Sequence, residues 1–455
     1  MPETIVEEIS CLERNTTPTE TIGLTLLESK DMLTQLQETL VSHQVTDYIS
    51  QHRHCAQCHK PLRKNGHQTI RFRTLFGNLK VKGQRFYHCD CQVQSTQTFS
   101  PIIQLLPERM SPEFSYLQTK WSALMSYGLT ANLLEDVLPL SANVATVFRQ
   151  TQAVAQRLED ELDEEKPMFI DGSAARWEKL PHPDERLFVG IDGGFIHARD
   201  GNNRKAGWFE AIVGKSLLNG CPSKHFAFVQ TYDEKPKRRL YETLLSHGMQ
   251  MNQDITFISD GGDDVRELQY YLNPNAEHIL DWFHVTMKIT AMRQIAKGIA
   301  NDDFKERMLQ ELKRVKWRLW HGHVSRALDC LDLIIEDCEC EEEVDGRRDQ
   351  LLKSLSAYRT YIFNNQGFIP NYADRYRYGE KISSSFAESA INEVVSRRMV
   401  KKQQMRWTKK GAHLLLQVRV KVLNDELRDK FEDWYPGLKS QTEVADGGVE
   451  LPVAA

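Results

Sequence analysis

The chain has 455 residues, 40% of them hydrophobic and 27% charged, the make-up of an ordinary globular protein with room for more than one domain. No apolar run reaches the roughly 18 residues of a membrane-spanning helix. The acidic start (Glu3, Glu7, Glu8) lacks the basic region of a secretory signal, so a cytoplasmic, reducing location with no membrane partner is expected. A net charge of −5 excludes a uniformly basic nucleic-acid coat, but acidic runs (159–165, 336–343) alternate with a strongly basic one, Arg397–Lys410.

Residues 1–50 read as a helical lead-in, with Leu24, Leu27, Leu33, Leu36 and Leu40 at helical spacing. Residues 51–100 change to short alternating strands (Arg71–Leu75, Leu79–Lys82) around a turn at Phe76-Gly-Asn-Leu79. They also carry Cys55-Ala-Gln-Cys58 and Cys89-Asp-Cys91. Two cysteine pairs separated by a hairpin suit a zinc-ribbon-like segment holding a structural Zn²⁺, because thiolates select zinc and four of them close its tetrahedron. The second pair is C-x-C, so His59 or His88 remains an alternative ligand. Lys60, Arg63, Lys64, Arg71, Arg73, Lys80, Lys82 and Arg85 surround the pairs and suit contact with DNA. Nine cysteines, an odd number, do not suggest a disulfide scaffold. Cys11 and Cys221 look isolated, and Cys330, Cys338 and Cys340 form a weaker metal candidate.

Residues 110–160 turn helical. Leu124, Leu133, Leu134, Val137 and Leu138 share one apolar face, Pro139 breaks it, and Ser141 can cap a second helix through Val144, Val147, Phe148 and Val154. Such a pair has the form of a helix-turn-helix region, with Asn143, Thr146, Arg149 and Gln150 on the outer side, although many helix pairs only fill a core. After an acidic linker, strands are expected near 187–198, 207–214 and 225–232, then a helix over 235–247. A strand at Ile255–Ser259, a helix at Asp264–Leu272 and the stretch from Glu277 follow. The expected fold class is α/β: a mixed sheet made by residues 185–284 and 376–425, interrupted by a large helical insertion over 285–375 and followed by a tail, 426–455.

Three acids stand out. Asp192 lies in the apolar run Leu187–Ile196, Asp260 ends Ile255–Ser259 just before Gly261-Gly262, and Glu388 opens an amphipathic helix after Ser383-Ser-Ser. A carboxylate in an apolar strand is costly unless something compensates it. Three acids converging from two strands and a helix would offer Mg²⁺ (or Mn²⁺) the oxygen ligands that hard ions take, with Asp192 bridging two ions for phosphoryl transfer. Asp171, Asp263 and Asp264 are competitors, the last two better suited to capping a helix. Glu393 lies five residues past Glu388, about 140° around an α-helix, so only one of the two can face the aspartates. His284, in Asp281-Trp-Phe-His284, can contact phosphate or orient water, or else be a core histidine bonded to Asp281.

Gly190-Ile-Asp192-Gly, Ile258-Ser-Asp260-Gly-Gly, Asp281-Trp-Phe-His284, Ser384-Ser-Phe-Ala-Glu388-Ser and Met405–His413 together resemble a bacterial insertion-sequence DDE transposase of the Mutator-like group. The likeness covers residues from about 50 to 425. It implies an RNase H-like catalytic domain with a helical insertion between Asp260 and Glu388, and metal-dependent cleavage and strand transfer of DNA. It further implies a double-stranded DNA partner (element ends and target) and a homo-oligomer that holds two ends. Arg375, Arg377, Arg397, Arg398, Lys401, Lys402, Arg406 and Trp407, with Arg149, would contact that DNA; Trp320 and Trp407 are the family-like aromatics, each placed either on DNA or in packing. Rival readings are a DNA-binding protein derived from a transposase, without catalysis, and an RNase H-like nuclease that does not join strands.

Overall fold

The computed structural model describes residues 23–91, 97–166, 170, 172–199, 207–273, 276–341, 346–400 and 405–438. They form two compact units, residues 1–155 with 425–455, and residues 156–424.

In the first unit, helix α1 (Leu26–Gln51) opens with a capping box in which Thr25 and Glu28 satisfy each other's backbone N–H groups. Strands β1 (Lys64–Thr74) and β2 (Gly77–Tyr87) pair antiparallel, and β2 pairs with the short β3 (Thr98–Phe99). The hairpin turn is Leu75-Phe76, two residues earlier than expected, because Gly77 already pairs with Thr74. Period-2 alternation puts Ile70, Phe72, Leu79 and Val81 on one face, against Val41 and Val45 of α1 and Ile102 of α2 (Pro101–Leu105). The leucines Leu24, Leu27, Leu33 and Leu36 are exposed, so α1 forms where expected but buries a different stripe.

Helices α3 (Pro112–Leu124), α4 (Tyr127–Val137) and α5 (Val144–Glu161) follow, the first two capped by Ser111 and Ser126. Asn143 caps α5 by accepting from Ala145 N–H, whereas the expected cap, Ser141, accepts from Asn78 instead. Leu134 is buried, while Leu124 and Val137 are exposed, so the expected single apolar face is split. Gln150 turns inward to Ser115 at 3.2 Å, which leaves Asn143 and Arg149 as the exposed residues of the four singled out on that helix.

The second unit contains the short α6 (Ala174–Trp177) and a five-stranded sheet: β4 (Leu187–His197), β5 (Trp208–Leu217), β6 (Lys224–Val229), β7 (Ile255–Ser259) and β8 (Glu277–Leu280), in the order β6-β5-β4-β7-β8. Helix α7 (Pro236–Ser246) connects β6 to β7, and α8 (Asp263–Leu272) connects β7 to β8. The first three strands run antiparallel, and β7 and β8 continue parallel to β4. The buried, β-branched-rich run of β4 is what a central strand requires. One face of the sheet packs Val189, Ile191, Phe226, Phe228 and Phe257 against Leu240 and Leu244 of α7 and Leu268 of α8.

Helices α9 (Trp282–Ala296), α10 (Asp302–Trp320), α11 (Val324–Cys340), α12 (Gly346–Asn364) and α13 (Tyr372–Arg377) share a core around Ile289, Met308, Leu312, Leu331 and Leu355, which continues into Ile258 of β7 and Ile279 and Leu280 of β8. The chain returns to the sheet through α14 (Ser385–Ile391), a π-helical stretch (Asn392–Val400) and α15 (Lys409–Leu423); α16 (Leu427–Trp434) belongs to the first unit.

The last turns of α5, from Gln156 on, belong to the second unit, where a buried ion network joins them to α7 and α15. Arg239 reaches Asp233 at 2.8 Å, Glu159 at 2.9 Å and Gln417 at 2.7 Å, and His413 approaches Glu159 at 3.3 Å. Burial alone would raise the Glu159 carboxyl, but His413 and Arg239 outweigh it and hold it at about 2. Glu159, Asp233 and His413 are close enough to chelate a metal, yet Arg239 already supplies the positive charge among them. Breaking a buried pair by removing one partner typically costs about 3–5 kcal/mol. Arg239→Ala should therefore lower the unfolding free energy measured in urea by about that amount, and adding Glu159→Gln should recover part of it; a single variant as stable as the parent would contradict this.

Candidate functional site

In the first unit, Cys55 and Cys58 precede the β1–β2 hairpin, and Cys89 and Cys91 follow it. All four sulfurs lie within 4.8 Å of one another, with Cys55–Cys91 at 3.5 Å and Cys58–Cys89 at 3.4 Å. Thiolates at about 2.3 Å from a tetrahedral ion stand at nearly this separation, so the set fits a structural zinc with no open position. Backbone N–H groups of Cys58 and Gln57 draw the Cys55 thiol down to about 6, while hydrogen bonds with Cys55 and Cys89 push Cys91 up to about 12, so the sulfurs share protons that a bound cation would displace. His88 instead stacks on Phe99 at 4.8 Å, and neither it nor His59 belongs to the group.

In the second unit, Asp192 sits mid-β4, opposite Val213, and shares its face with Gly190 and Gly194. A Cβ on Gly190 would meet the Phe386 ring at 2.6 Å, and one on Gly194 would meet Ile391 at 3.0 Å. Two missing side chains thus let α14 lie against the strand on either side of Asp192, with Glu388 in the intervening turn. Asp260 ends β7 and accepts from Gly262 N–H at 3.2 Å. Gly261 makes the turn at φ +91°, where any Cβ would strike Asn365. Gly262 takes the cap position of α8, so Asp263 and Asp264 open that helix and do not cap it.

Asp281, fully buried at the end of β8, joins these parts. It caps α9 by accepting from Phe283 N–H at 2.8 Å, accepts from His284 Nδ1 at 2.8 Å, and accepts from Ser384 N–H at 3.1 Å and from the Ser384 hydroxyl. Ser384 is the residue before α14, and its hydroxyl serves Asp281, with no side-chain cap of its own helix. The hydrogen bond to Asp281 raises His284, which also feels Asp192 and Asp260. Burial pushes Asp192 up to about 6; His284 and Gly193 N–H pull it down, and the charges on Asp260 and Asp281 push it further up. Asp192, Asp260, Asp281 and His284 are thus one electrostatic cluster.

Glu388 is exposed and lines an open cavity of about 390 Å³ with Ser389, Asn392, Glu393 and Arg397. The chain becomes π-helical at Asn392, and its i→i+5 bonding brings Glu393 to the same cavity as Glu388, with Glu393 also 3.9 Å from His225 of β6. Among the described residues, the oxygens of Asp192, Asp260 and Glu388 do not all lie within 4.8 Å of one another. Their donor chemistry, oxygens only with a raised carboxyl among them, fits a hard divalent ion.

The cationic candidates divide. Arg149, Arg377, Arg397 and Arg406 are exposed. Arg398 is fully buried over the Trp407 ring, and Trp407 is itself buried, its backbone N–H donating to the His197 carbonyl at the end of β4. Neither reaches solvent as a DNA contact would. Arg375 is held between Glu277 and Glu380, and Trp320 packs on Trp282 at 5.0 Å. Lys401, Lys402, Asp171 and Cys11 lie outside the described residues. Two residues went unread in the sequence. Tyr361 of α12 donates to the Asp260 carbonyl at 3.0 Å, and Lys288 lies over its ring at 4.6 Å. Lys288 follows His284 by one helical turn, a signal the sequence offered; Tyr361 gave none.

No protein-family model matches the chain, and no curated protein matches it. Among solved structures, one described as the crystal structure of NurA aligns at 12% identity over 51% of this chain, with a TM-score of 0.10. The alignment spans 63% of that protein, under two thirds of its length. Among the described residues, no helix is long and apolar enough to cross a membrane.

The raised Asp192 carboxyl carries a stability consequence. Its folded value lies above the unfolded one, so ionising it costs nothing below about 3.8, a growing amount as pH rises to about 6, and the full amount above. At about 1.4 kcal/mol per unit the full cost is on the order of 2–3 kcal/mol before discounting for partial solvation. In EDTA, Asp192→Asn should melt several degrees above the parent at pH 8 and equal to it near pH 4; equal melting at pH 8 would refute the assignment. For the cysteines, the protein as purified should hold one zinc per chain by elemental analysis, and Cys58→Ser should lose it.

Proposed function

We propose that this chain is a DDE transposase that cleaves and joins DNA with Mg²⁺ at Asp192, Asp260 and Glu388. What chiefly supports the reading is the charge-coupled cluster of Asp192, Asp260 and His284, tied through Asp281 and Ser384 to the helix that bears Glu388. The strand order, three antiparallel strands followed by two parallel ones, with acids mid-β4 and at the end of β7, agrees with an RNase H-like core. The long helical insertion between Asp260 and Glu388 agrees with the motif resemblance.

In this reading, bound divalent ions supply electrophilic stabilisation of the attacking and leaving oxygens. The residues do the rest. Asp192 and Asp260 hold the scissile phosphate's surroundings strongly negative until cations balance them. His284, its Nδ1 fixed on Asp281, presents Nε2 to a phosphate oxygen or to the attacking water. Water attacks the phosphodiester at the element's end, breaks the P–O3′ bond and frees a 3′-OH, which then attacks a target phosphorus, breaking the target P–O3′ bond and releasing the target strand's own 3′-OH. Exposed Arg377, Arg397 and Arg406 meet backbone phosphates. A homo-oligomer holds the two ends together.

The test uses a duplex carrying the DNA that flanks the protein's own gene. Mg²⁺ should give nicks, and a precut 3′-OH end should give strand-transfer product, both abolished by EDTA. Asp192→Ala, Asp260→Ala and Glu388→Ala should each lose on the order of 10³-fold in rate, the worth of several kcal/mol of transition-state charge stabilisation. Nicking without joining would favour a plain nuclease. Binding without either reaction would favour a non-catalytic DNA-binding protein.

A further inference from the structure

Three large aromatic rings stand in solvent around one turn of the helical insertion. Trp317, near the end of α10, is 58% exposed, and Tyr376 and Tyr378, at and just after the end of α13, are 68% and 79% exposed. Isolated exposed apolar residues need no explanation, but these are connected. The Trp317 ring meets His321 at 4.5 Å and His323 at 6.2 Å, and the two histidine rings lie near-parallel at 6.4 Å. Gly322, between those histidines, passes so close to Asn371 that an added Cβ would sit 3.2 Å from its backbone, which seats the α10–α11 turn on the start of α13. On the inner side, Tyr376 rests on Trp320 at 5.9 Å, and Trp320 is anchored against Trp282 and Tyr372. Tyr376 is therefore carried on a packed aromatic base, Trp317 on the two histidines of the turn, and Tyr378 follows Tyr376 by two residues.

Charge surrounds the rings with one sign in excess. Lys313, Lys316 and Arg326 are exposed and have no ion-pair partner among the described residues. Of the acids in the same region, Glu311 pairs with Arg314, Asp374 with Arg377 at 3.2 Å, and Glu380 with Arg375 at 2.8 Å, while Asp329, one turn beyond Arg326, is exposed and leaves Lys313 and Lys316 as the excess. Lys313 and Trp317 are one helical turn apart, as are Lys316 and Trp320, so cation and ring alternate along one side of α10.

We infer that this surface binds single-stranded DNA, stacking unpaired bases on Trp317, Tyr376 and Tyr378 while Lys313 and Lys316 meet the backbone phosphates. The inference deepens the proposed function, on which it rests for the choice of DNA, by naming an unpaired strand as a form the protein handles. Flat exposed rings beside unpaired lysines suit a strand whose bases are free to stack; a paired duplex hides those faces. The sequence had pointed to Trp320, but that ring is packed and the exposed one lies a turn away.

The experiment uses the full chain carrying Asp192→Ala, so that no strand is cut, and a fluorescein-labelled 15-mer of deoxythymidine in EDTA. Binding is read by anisotropy and by quenching of tryptophan emission. The single strand should bind at least tenfold more tightly than a 15-base-pair duplex. Trp317→Ala and Tyr376→Ala should each weaken it by about tenfold or more, the usual worth of a stacked base, with Trp317→Phe retaining most of the affinity. Lys313→Glu should flatten the salt dependence. Both rings are solvent-exposed, so unchanged melting temperatures identify the loss as one of binding. Wild-type affinity in Trp317→Ala and Tyr376→Ala, equal competition by duplex, or tenfold preference for the matching 15-mer of uridine RNA would each overturn the inference. Nicking by the unsubstituted protein, measured separately, decides the catalytic reading whatever the oligonucleotide does.

Discussion

A single carboxylate with no access to water organises the second unit. Unpaired, the buried Asp281 side chain would be costly. It accepts from two backbone N–H groups, an imidazole and a hydroxyl, and those donors come from α9 and from the residue that starts α14. More than 100 residues of chain separate Asp281 from Ser384, yet their contact fixes where the sheet ends and where the Glu388 helix begins. Removing the charge would leave Ser384 without its acceptor and His284 without its counter-charge, so the positions of two candidate functional side chains depend on this one group.

Around that joint, the structure tolerates unfavourable features where the chemistry would sit. Asp192 is ionised only against burial and neighbouring negative charge, and β4 gives up two side chains at Gly190 and Gly194 so that a helix can close on it. The insertion is part of this arrangement and not an appendage. From α12, Tyr361 bonds the Asp260 carbonyl and Asn365 packs on Gly261, so helical residues remote in sequence brace the turn that carries the second aspartate. Such local costs at a cluster of titratable groups are characteristic of functional sites.

The π-helical stretch after α14 is braced as well. Arg419 of α15, buried, donates to the carbonyls of Val394 and Glu393, whose normal helical partners are displaced by the wider turn. That widening gathers Glu388, Glu393 and Arg397 at one cavity. It also explains why a segment that looked like a continuous basic DNA-facing run is divided, with Arg397 outward and Arg398 inward over Trp407.

Periodicity and residue chemistry in the sequence were enough for the strands at Leu187–His197 and Ile255–Ser259, the hairpin between the cysteine pairs, and the four cysteines as one group. Each depends on neighbours along the chain or on a residue type with one dominant chemistry. The tertiary structure decided what needed distant partners. Ser141 lost the cap to Asn143, Trp407 and Arg398 turned inward, and Asp281 proved to be a joint between helices. Glu393 joined Glu388 because packing against Arg419 sustains a helix of different pitch, which α-helical spacing cannot anticipate. Side chains whose role is set by a partner remote in sequence carry no local mark of it, and this is why Tyr361, Asn365 and the bracing Arg419 could not be read from the chain.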